Sequence, residues 1–284
     1  VSGKLSKKFS IEELHYDSDE STFQVKHAEL FWNPAALWRG ELHVFSCIIE
    51  NVEYSYTAPE KSEENEAMSL SLPSLKMPLD MILEDLRVRN VQIISSGETV
   101  AEIDRVDLQL RGGATLLQFD TIYLQGKDFQ VNLSGEVGVD RDWPVDITGT
   151  WRYLVEGIPE LQGNIRVNDS LKDAGINLAL TGPYAAELVG RLQFKDGGIG
   201  WQAQLEASGV DPAILFDDIP GLLDIHAKTD GMWKEEIISG AISIENIEGK
   251  VLSHPIQVKG TAQFDNEKVE IGELHIGSGE ARAT

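Results

Sequence analysis

Apolar and polar residues alternate with a period of two along most of this chain. From Leu42 to Tyr56, six of the eight even positions are apolar, whereas the odd positions hold only Phe45, Cys47 and Ile49 as apolar residues. Successive side chains of a β-strand point to opposite sides of the sheet. The alternation therefore predicts strands with one apolar face.

The most informative pattern is a repeat built on six glycines. At each glycine the residues two before, two after and four after are apolar, whereas only Val189 and Ala241 are apolar among the residues one before, one after and three after. The first three glycines are 14 residues apart, which leaves room for a strand of about nine residues and a turn of about five. The repeat predicts consecutive antiparallel strands with a glycine in mid-strand, where the sheet bends or another group approaches closely. The six glycines are Gly135, Gly149, Gly163, Gly190, Gly240 and Gly260.

Two short segments interrupt the strand pattern and favour helix. In each, a capping residue, Asn33 or Asp211, precedes a proline that suits the first turn of a helix. Each segment is long enough for only about one and a half turns. The two helices are predicted near residues 33–38 and 211–217.

The composition also divides the chain into three parts. Residues 59–74 are rich in Glu and Ser and predict an acidic flexible loop. The preceding residues, 1–58, are predicted to form an N-terminal β region that includes the first short helix. Residues 75–284 are predicted to form a repeating β-groove that includes the second.

An apolar face repeated over so many strands needs a cover, and two short helices are too small to provide it. The architectures that remain are a closed barrel, a two-sheet sandwich and a trough whose apolar walls face each other. A membrane barrel would show two aromatic girdles, and the aromatic residues, 7% of the chain, show no such placement. The trough explains the repeat best. The predicted fold is mainly β: a long antiparallel β-meander folded lengthwise into an elongated U-shaped hydrophobic groove, with two short helices.

Charge and cysteine content exclude several classes of protein. The 284 residues include 24 Lys and Arg against 47 Asp and Glu, which gives a net charge of −23. Proteins that bind nucleic acid need clustered basic residues, so no nucleic-acid partner is predicted. The one cysteine, Cys47, forms neither an intrachain disulfide nor a multi-thiolate zinc site.

No catalytic, cofactor or membrane-spanning motif is present in the sequence. It contains no G-x-S-x-G, phosphate-loop or G-x-G-x-x-G motif. Acid–histidine pairs such as Glu41 and His43 place two possible ligands on one face of a strand, but no segment brings three ligands together at metal-site spacing. We therefore expect no enzyme activity, no cofactor and no metal. No apolar run approaches the roughly 20 residues of a transmembrane helix, and Val1 is not a start residue, so we expect a membrane anchor upstream of it.

Several short motifs resemble one protein family. They are Leu30-x-Trp32-x-Pro34-x-x-Leu37 with Gly40-x-Leu42-x-Val44, and Gly209-Val210-Asp211-Pro212 leading into Ile219-Pro220-Gly221. These motifs resemble the amino-terminal periplasmic region of the TamB family, within the AsmA-like group. Relatives often carry Trp-Pro-Gly where this chain has Asp218-Ile219-Pro220-Gly221, so Ile219 replaces an aromatic residue.

The resemblance implies a function in the envelope of Gram-negative bacteria. TamB-like proteins are anchored in the inner membrane and extend through the periplasm, where they carry phospholipid towards the outer membrane with a TamA-type barrel as partner. The anchor and the region that meets TamA are expected outside this sequence. The alternatives are an assembly factor that pairs a strand edge with outer-membrane protein precursors and a passive spacer.

The expected site is the apolar wall of the groove. Trp32, Leu37 and Trp38 are predicted to be membrane-proximal because Trp favours membrane interfaces, although the same helix could simply plug the first strands. An ordinary closed core is the alternative for the wall residues. The predicted lipid-binding residues are Leu133, Val137, Ile147, Leu161, Ile165, Leu188, Leu192, Phe194, Ile238, Ile242, Ile244, Val258 and Phe264.

Overall fold

The chain is almost entirely β-strand and folds as a meander. The computed structural model describes residues 2–4, 7–18, 21–56, 78–95, 97–139, 143–154, 157–195, 197–214, 218–234, 237–266, 268–278 and 281–283. The described chain divides into two compact units. The first holds the described residues up to Val139 together with Ile147–Trp151, and the second holds residues 143–146 and those from Arg152 onward. The prediction of a mainly β fold is confirmed, and the predicted acidic loop lies outside the described residues.

In the first unit each strand pairs with its neighbours along the chain. Among the described residues of this unit no pairing joins β1 to β8, so the sheet is not closed. The strands are β1 (Ser2–Lys4), β2 (Lys8–Asp17), β3 (Ser21–Asn33), β4 (Glu41–Tyr56), β5 (Asp80–Ser95), β6 (Glu98–Gly112), β7 (Leu116–Gln125) and β8 (Phe129–Gly138), with β9 (Val145–Tyr153) divided between the two units.

The pair β4 and β5 departs from the predicted antiparallel order. These strands are parallel, with Glu41 opposite Asp80 and Tyr56 opposite Ser95. Parallel neighbours cannot be joined by a tight turn. Residues 57–79 separate the two strands in the sequence, and a segment of that length can reach roughly 75 Å, more than the length of β4, about 50 Å.

The second unit is antiparallel throughout. Each strand from β10 to β18 pairs with the next one along the chain. Among its described residues no pairing joins β10 to β18, and this sheet too is open. The strands are β10 (Leu161–Ser170), β11 (Asp173–Gly182), β12 (Ala185–Lys195), β13 (Gly198–Val210), β14 (Gly221–Lys234), β15 (Ile237–Val251), β16 (His254–Phe264), β17 (Val269–Ser278) and β18 (Ala281–Ala283).

In both segments predicted as helices, the described residues form only short 3₁₀ turns. The first, η1, spans Pro34–Arg39, and its start is capped as predicted because Asn33 Oδ1 accepts a hydrogen bond from the Ala35 N–H at 3.2 Å. It ends at Gly40, whose φ of 75° is left-handed. Segments this short between long strands close as 3₁₀ turns and not as regular α-helices. The second, η2, spans Pro212–Ile214, and residues 215–217 lie outside the described part.

All six glycines of the repeat lie within strands, and a close approach explains the glycine at Gly240. Trp201, Gly231, Gly240 and Phe264 lie opposite one another on four successive strands. The two rings lean over the glycines and stack with centroids 6.4 Å apart, although the outer strands are about 14 Å apart. A Cβ on Gly240 would lie 2.9 Å from Phe264 Cζ, and one on Gly231 would lie 2.3 Å from Trp201 Cζ2. The bare backbone leaves space for the aromatic rings.

An ion-pair cluster links three neighbouring strands of the first unit, β5, β6 and β7. Asp107 accepts hydrogen bonds from Arg89 at 2.7 Å and from Arg105 at 2.6 Å. The Arg105 guanidinium lies 5.1 Å from the centroid of the Tyr123 ring. Burial alone would raise the pKa of Asp107, but the hydrogen bonds from Arg105 and Arg89 outweigh it and lower that pKa below its ordinary value. The cluster therefore stabilises the pairing of β5, β6 and β7.

We expect the substitution Gly231→Ala to destabilise the second unit. The new Cβ would lie 2.4 Å from the Ser239 carbonyl oxygen, so backbone or ring must move, at a cost of about 1–3 kcal/mol. Gly200→Ala is the control because the nearest atom to its Cβ would be 3.7 Å away, and its change should stay within about 0.5 kcal/mol. Urea unfolding followed by circular dichroism measures both, and equal losses would contradict the account.

We expect Asp107→Asn to lower the free energy of unfolding at neutral pH by about 1–2 kcal/mol, because two charge-assisted hydrogen bonds are weakened. Since the folded-state pKa of Asp107 is lowered, its contribution is present above the unfolded-state pKa and is lost as pH falls through the folded value. The variant should therefore lose less stability than the wild type on acidification. Asp146→Asn is the matched control, because the pair that Asp146 forms with Arg166 at 3.3 Å is exposed.

Candidate functional site

Strand register aligns the apolar residues of the second unit into rows that cross the sheet. Four rows pass through all eight strands from β10 to β17, and only Asp169 and Thr229 in them are neither apolar nor glycine. We call the side of the sheet that carries these rows the apolar face. The rows are Gly163, Leu180, Ala186, Ala207, Ile225, Ile247, Val258, Ile276; Ile165, Leu178, Leu188, Leu205, Ala227, Ile244, Gly260, Leu274; Val167, Ile176, Gly190, Ala203, Thr229, Ile242, Ala262, Ile271; and Asp169, Ala174, Leu192, Trp201, Gly231, Gly240, Phe264, Val269.

The first unit has an apolar face of the same construction. Its rows cross the strands from β2 or β3 to β8 and continue across the parallel pair without a polar residue. Three of them are Phe9, Leu30, Cys47, Leu86, Leu108, Ile122, Leu133; Ile11, Ala28, Ile49, Val88, Val106, Leu124, Val131; and Trp32, Val44, Leu83, Leu110, Phe119, Gly135.

The single alternation predicted over Leu42–Tyr56 is wrong in its middle. A register shift between β3 and β4, followed by a left-handed residue at Asn51 with a φ of 56°, changes which side chains face which way. Cys47 and Ile49 consequently lie in the apolar rows, and Ile48 is on the opposite side, across from Glu29 and Arg87. Bulges of this kind add one residue to a strand and reverse the alternation that follows.

The apolar face has dimensions that suit an acyl chain. Eight strands at about 4.8 Å spacing extend about 34 Å, and four rows two residues apart extend about 20 Å along the strands. One leaflet of a bilayer core is about 15 Å thick, because the whole core is about 30 Å. A chain lying parallel to the strands therefore fits within the width of the rows.

Most side chains of the apolar face stay accessible to solvent. At the β17 end of the second unit, Val269 and Ile271 are each 66% exposed. Among the described residues only ten apolar ones are buried, and most of those are small. In a closed core the large apolar residues would be the most buried. The buried apolar residues are Val25, Ala36, Val44, Leu110, Val137, Val139, Trp143, Val145, Ala174 and Ala207.

The structure places the predicted lipid-binding residues on the apolar faces. Leu133 and Val137 of β8 and Ile147 of β9 belong to the first unit. In the second unit, Phe194 and Ile238 lie in a further short row with Ile199 and Trp233, and Leu161 begins β10. The other seven predicted residues lie in the four long rows: Ile165, Leu188, Leu192, Ile242, Ile244, Val258 and Phe264. Of all the predicted residues, Val137 is buried, Ile238 and Ile242 are exposed, and the rest are half-buried.

The glycine repeat did not identify apolar-face residues on the strands that carry no repeat glycine. Leu178 in β11, Leu205 in β13 and Ile225 in β14 share rows with the predicted residues. Leu86 and Leu108 do the same in the first unit. All five belong to runs of period two, so the alternation alone would have found them.

The residues predicted to be membrane-proximal lie at one end of the first unit. Trp32 is half-buried in an apolar row beside Val44. Leu37 and Trp38 project from η1 and are exposed. Of the three residues, Trp32 therefore belongs to the apolar face, whereas Leu37 and Trp38 are free to contact another surface.

Within the described ranges, no group of three or more His, Cys, Asp or Glu side chains is arranged to hold a metal ion. Acid–histidine contacts do occur, such as His43 Nε2 to Glu84 Oε1 at 2.7 Å. No helix among the described residues is long and apolar enough to cross a bilayer.

Comparisons with known proteins identify the family. The family model described as TamB, N-terminal domain, matches residues 52–199 and 196–284. Comparisons with curated proteins and with solved structures gave no match. The TamB family is a transport or assembly module of the bacterial envelope and is not known as an enzyme. Since the match covers most of the sequence, this chain belongs to the TamB family, of which it carries the N-terminal domain.

Proposed function

We propose that this chain is a segment of a phospholipid conduit across the bacterial periplasm, with the apolar faces shielding acyl chains from water. The observation that carries the proposal is the set of long apolar rows whose large side chains remain accessible. Rows of this kind offer a lipid chain contact with one apolar strand after another. Family membership supports a transport role.

The energetics of lipid transfer favour such a surface. Each CH₂ group exposed to water costs about 0.8 kcal/mol, so two acyl chains of ordinary length cost on the order of 20–25 kcal/mol. Contact with an apolar face removes much of that cost at every step. The predicted U-shaped groove belongs to this proposal: its walls would cover both sides of the chains, and the headgroup would stay in water at the open seam.

Family membership supports a position in the bacterial envelope. In this proposal the whole protein is anchored in the inner membrane and works with a TamA-type barrel in the outer membrane, through regions other than the one described. Phospholipid is the transported ligand, and no cofactor is required. Lipid selectivity and direction of movement would be set by those other regions and by the donor membrane.

The sharpest test uses two sides of strand β12. Leu192 lies in an apolar row, and Val189, 51% exposed, lies on the opposite side of the same strand. A photo-crosslinking residue at position 192 should label phospholipid in the bacterial envelope, whereas one at the polar neighbour Gln193 should label little. Mass spectrometry of the cross-linked product identifies the lipid.

A pair of charge substitutions completes the test. An Asp among the row side chains must be desolvated when lipid arrives, so Leu192→Asp should reduce co-purifying lipid at least ten-fold, and Val189→Asp should leave it within two-fold. Equal labelling at positions 192 and 193, or equal effects of the two substitutions, would overturn the proposal. Loss of outer-membrane protein assembly with intact lipid labelling would favour strand-edge pairing instead.

A further inference from the structure

Trp38, at the tip of η1, is the most exposed large apolar side chain among the described residues. Its exposure is 94%, and the adjacent Leu37 is 40% exposed. Large aromatic side chains usually bury most of their surface in the fold that carries them. Trp38 contributes almost no burial to its own unit.

The turn that presents Trp38 is rigidly built. Ala36, between the two ends of the turn, is completely buried and fixes it to the sheet. The Gly40 N–H donates to the Leu37 carbonyl at 3.0 Å, and the Gly40 carbonyl accepts from the Asp80 N–H of β5 at 2.9 Å. Together with the Asn33 cap at the start of the turn, these hydrogen bonds hold Leu37 and Trp38 outward. The turn therefore needs no further ordering when it binds.

The charges around the tip differ from those of the whole chain. Lys7 lies beside Trp32, whose N–H donates to the Lys7 carbonyl at 3.0 Å. Lys8 pairs with Glu29 at 2.8 Å, and Arg39 lies 3.6 Å from Glu41. Asp80 adds a third carboxylate and Glu84, which contacts His43 at 2.7 Å, adds a fourth. The three basic side chains still bring the tip closer to charge balance than the whole chain, whose net charge is −23. An anionic surface therefore repels the tip less than it repels the rest of the chain.

The apolar face of the first unit begins next to this tip. Leu42 follows Gly40 by two residues and opens a row with Met81, Gly112 and Leu117. We propose that the η1 tip, with Leu37 and Trp38, inserts into the headgroup–acyl boundary of a phospholipid bilayer and sets the edge of the apolar face against it. This docking does not depend on lipid transport.

The size of the tip favours a bilayer over a protein partner. A Trp side chain buries at most about 250 Å², whereas a stable protein interface buries at least about 1,000 Å². Two projecting side chains cannot supply such an interface. Trp with neighbouring Lys and Arg is the combination that settles at the membrane interface, because the ring is amphipathic and the basic side chains reach the headgroups.

The test is flotation of the described chain with vesicles of phosphatidylethanolamine and phosphatidylglycerol, at an ionic strength that screens the net charge. Trp38→Ala should weaken the partition coefficient about ten-fold or more, because an apolar side chain is removed from its buried site. Trp38→Phe should restore most of it. Leu222→Ala is the matched control, since Leu222 is 63% exposed in the second unit, and it should change partition less than two-fold.

A second measurement reports where the ring lies. Vesicles brominated near the headgroup should quench part of the wild-type tryptophan fluorescence, and that part should be lost in Trp38→Ala. Unchanged partition and quenching in Trp38→Ala, or no partition of the wild type, would overturn the proposal. Leu192→Asp should change vesicle partition less than two-fold. Trp38→Ala should leave lipid labelling at position 192 intact in detergent. The two variants therefore distinguish a failure of membrane docking from a failure of the lipid conduit.

Discussion

Strand register is the constraint on which the apolar faces depend. A slip of one residue between two strands would turn every apolar side chain of one of them to the opposite side. The row from Ile165 to Leu274 crosses eight strands, so seven successive pairings must all hold their register. Strand β15 carries one extra residue near Glu245, and its pairings with β14 and with β16 both shift at that level. Ile244 and Ile247 therefore still lie in apolar rows that continue across β15 on both sides.

Local alternation predicted much of this architecture. The repeat around Gly190 and Gly240 located strands and their apolar sides because a period of two is a property of each strand by itself. It could not locate β-bulges, since one extra residue has no distinctive composition, and the assignment of Ile48 failed for that reason. It also missed the parallel pair of β4 and β5, because strand direction depends on the path of a long connection and not on the residues that pair.

The candidate site was predictable to a similar extent. Residues such as Leu188 and Ile244 were found because they flank repeat glycines, but which side chains lie side by side in a row depends on register between strands. The stacking of Trp201 on Phe264 could not be read from the sequence, since two intervening strands separate them. Their contact depends on glycines that happen to lie opposite each other.

An open apolar face also needs protection from self-association. On the opposite side of β12, Glu187, Arg191 and Lys195 are exposed, and this side keeps the sheet hydrated. The net charge of −23 acts between molecules, because two chains that approach with their apolar faces must bring together two strongly negative bodies. Lipid, which carries far less charge, meets a much smaller barrier.

The parallel arrangement of β4 and β5 has a consequence for how the first unit forms. Every other pair of neighbouring strands from β1 to β8 is separated by at most seven residues and can pair locally, whereas β4 and β5 are separated in the sequence by residues 57–79. Closure of a connection of that length costs about 2 kcal/mol more entropy than a three-residue turn. Two locally assembled arrays, β1–β4 and β5–β8, would therefore come together at this seam last, and only then would the apolar rows of the first unit become continuous.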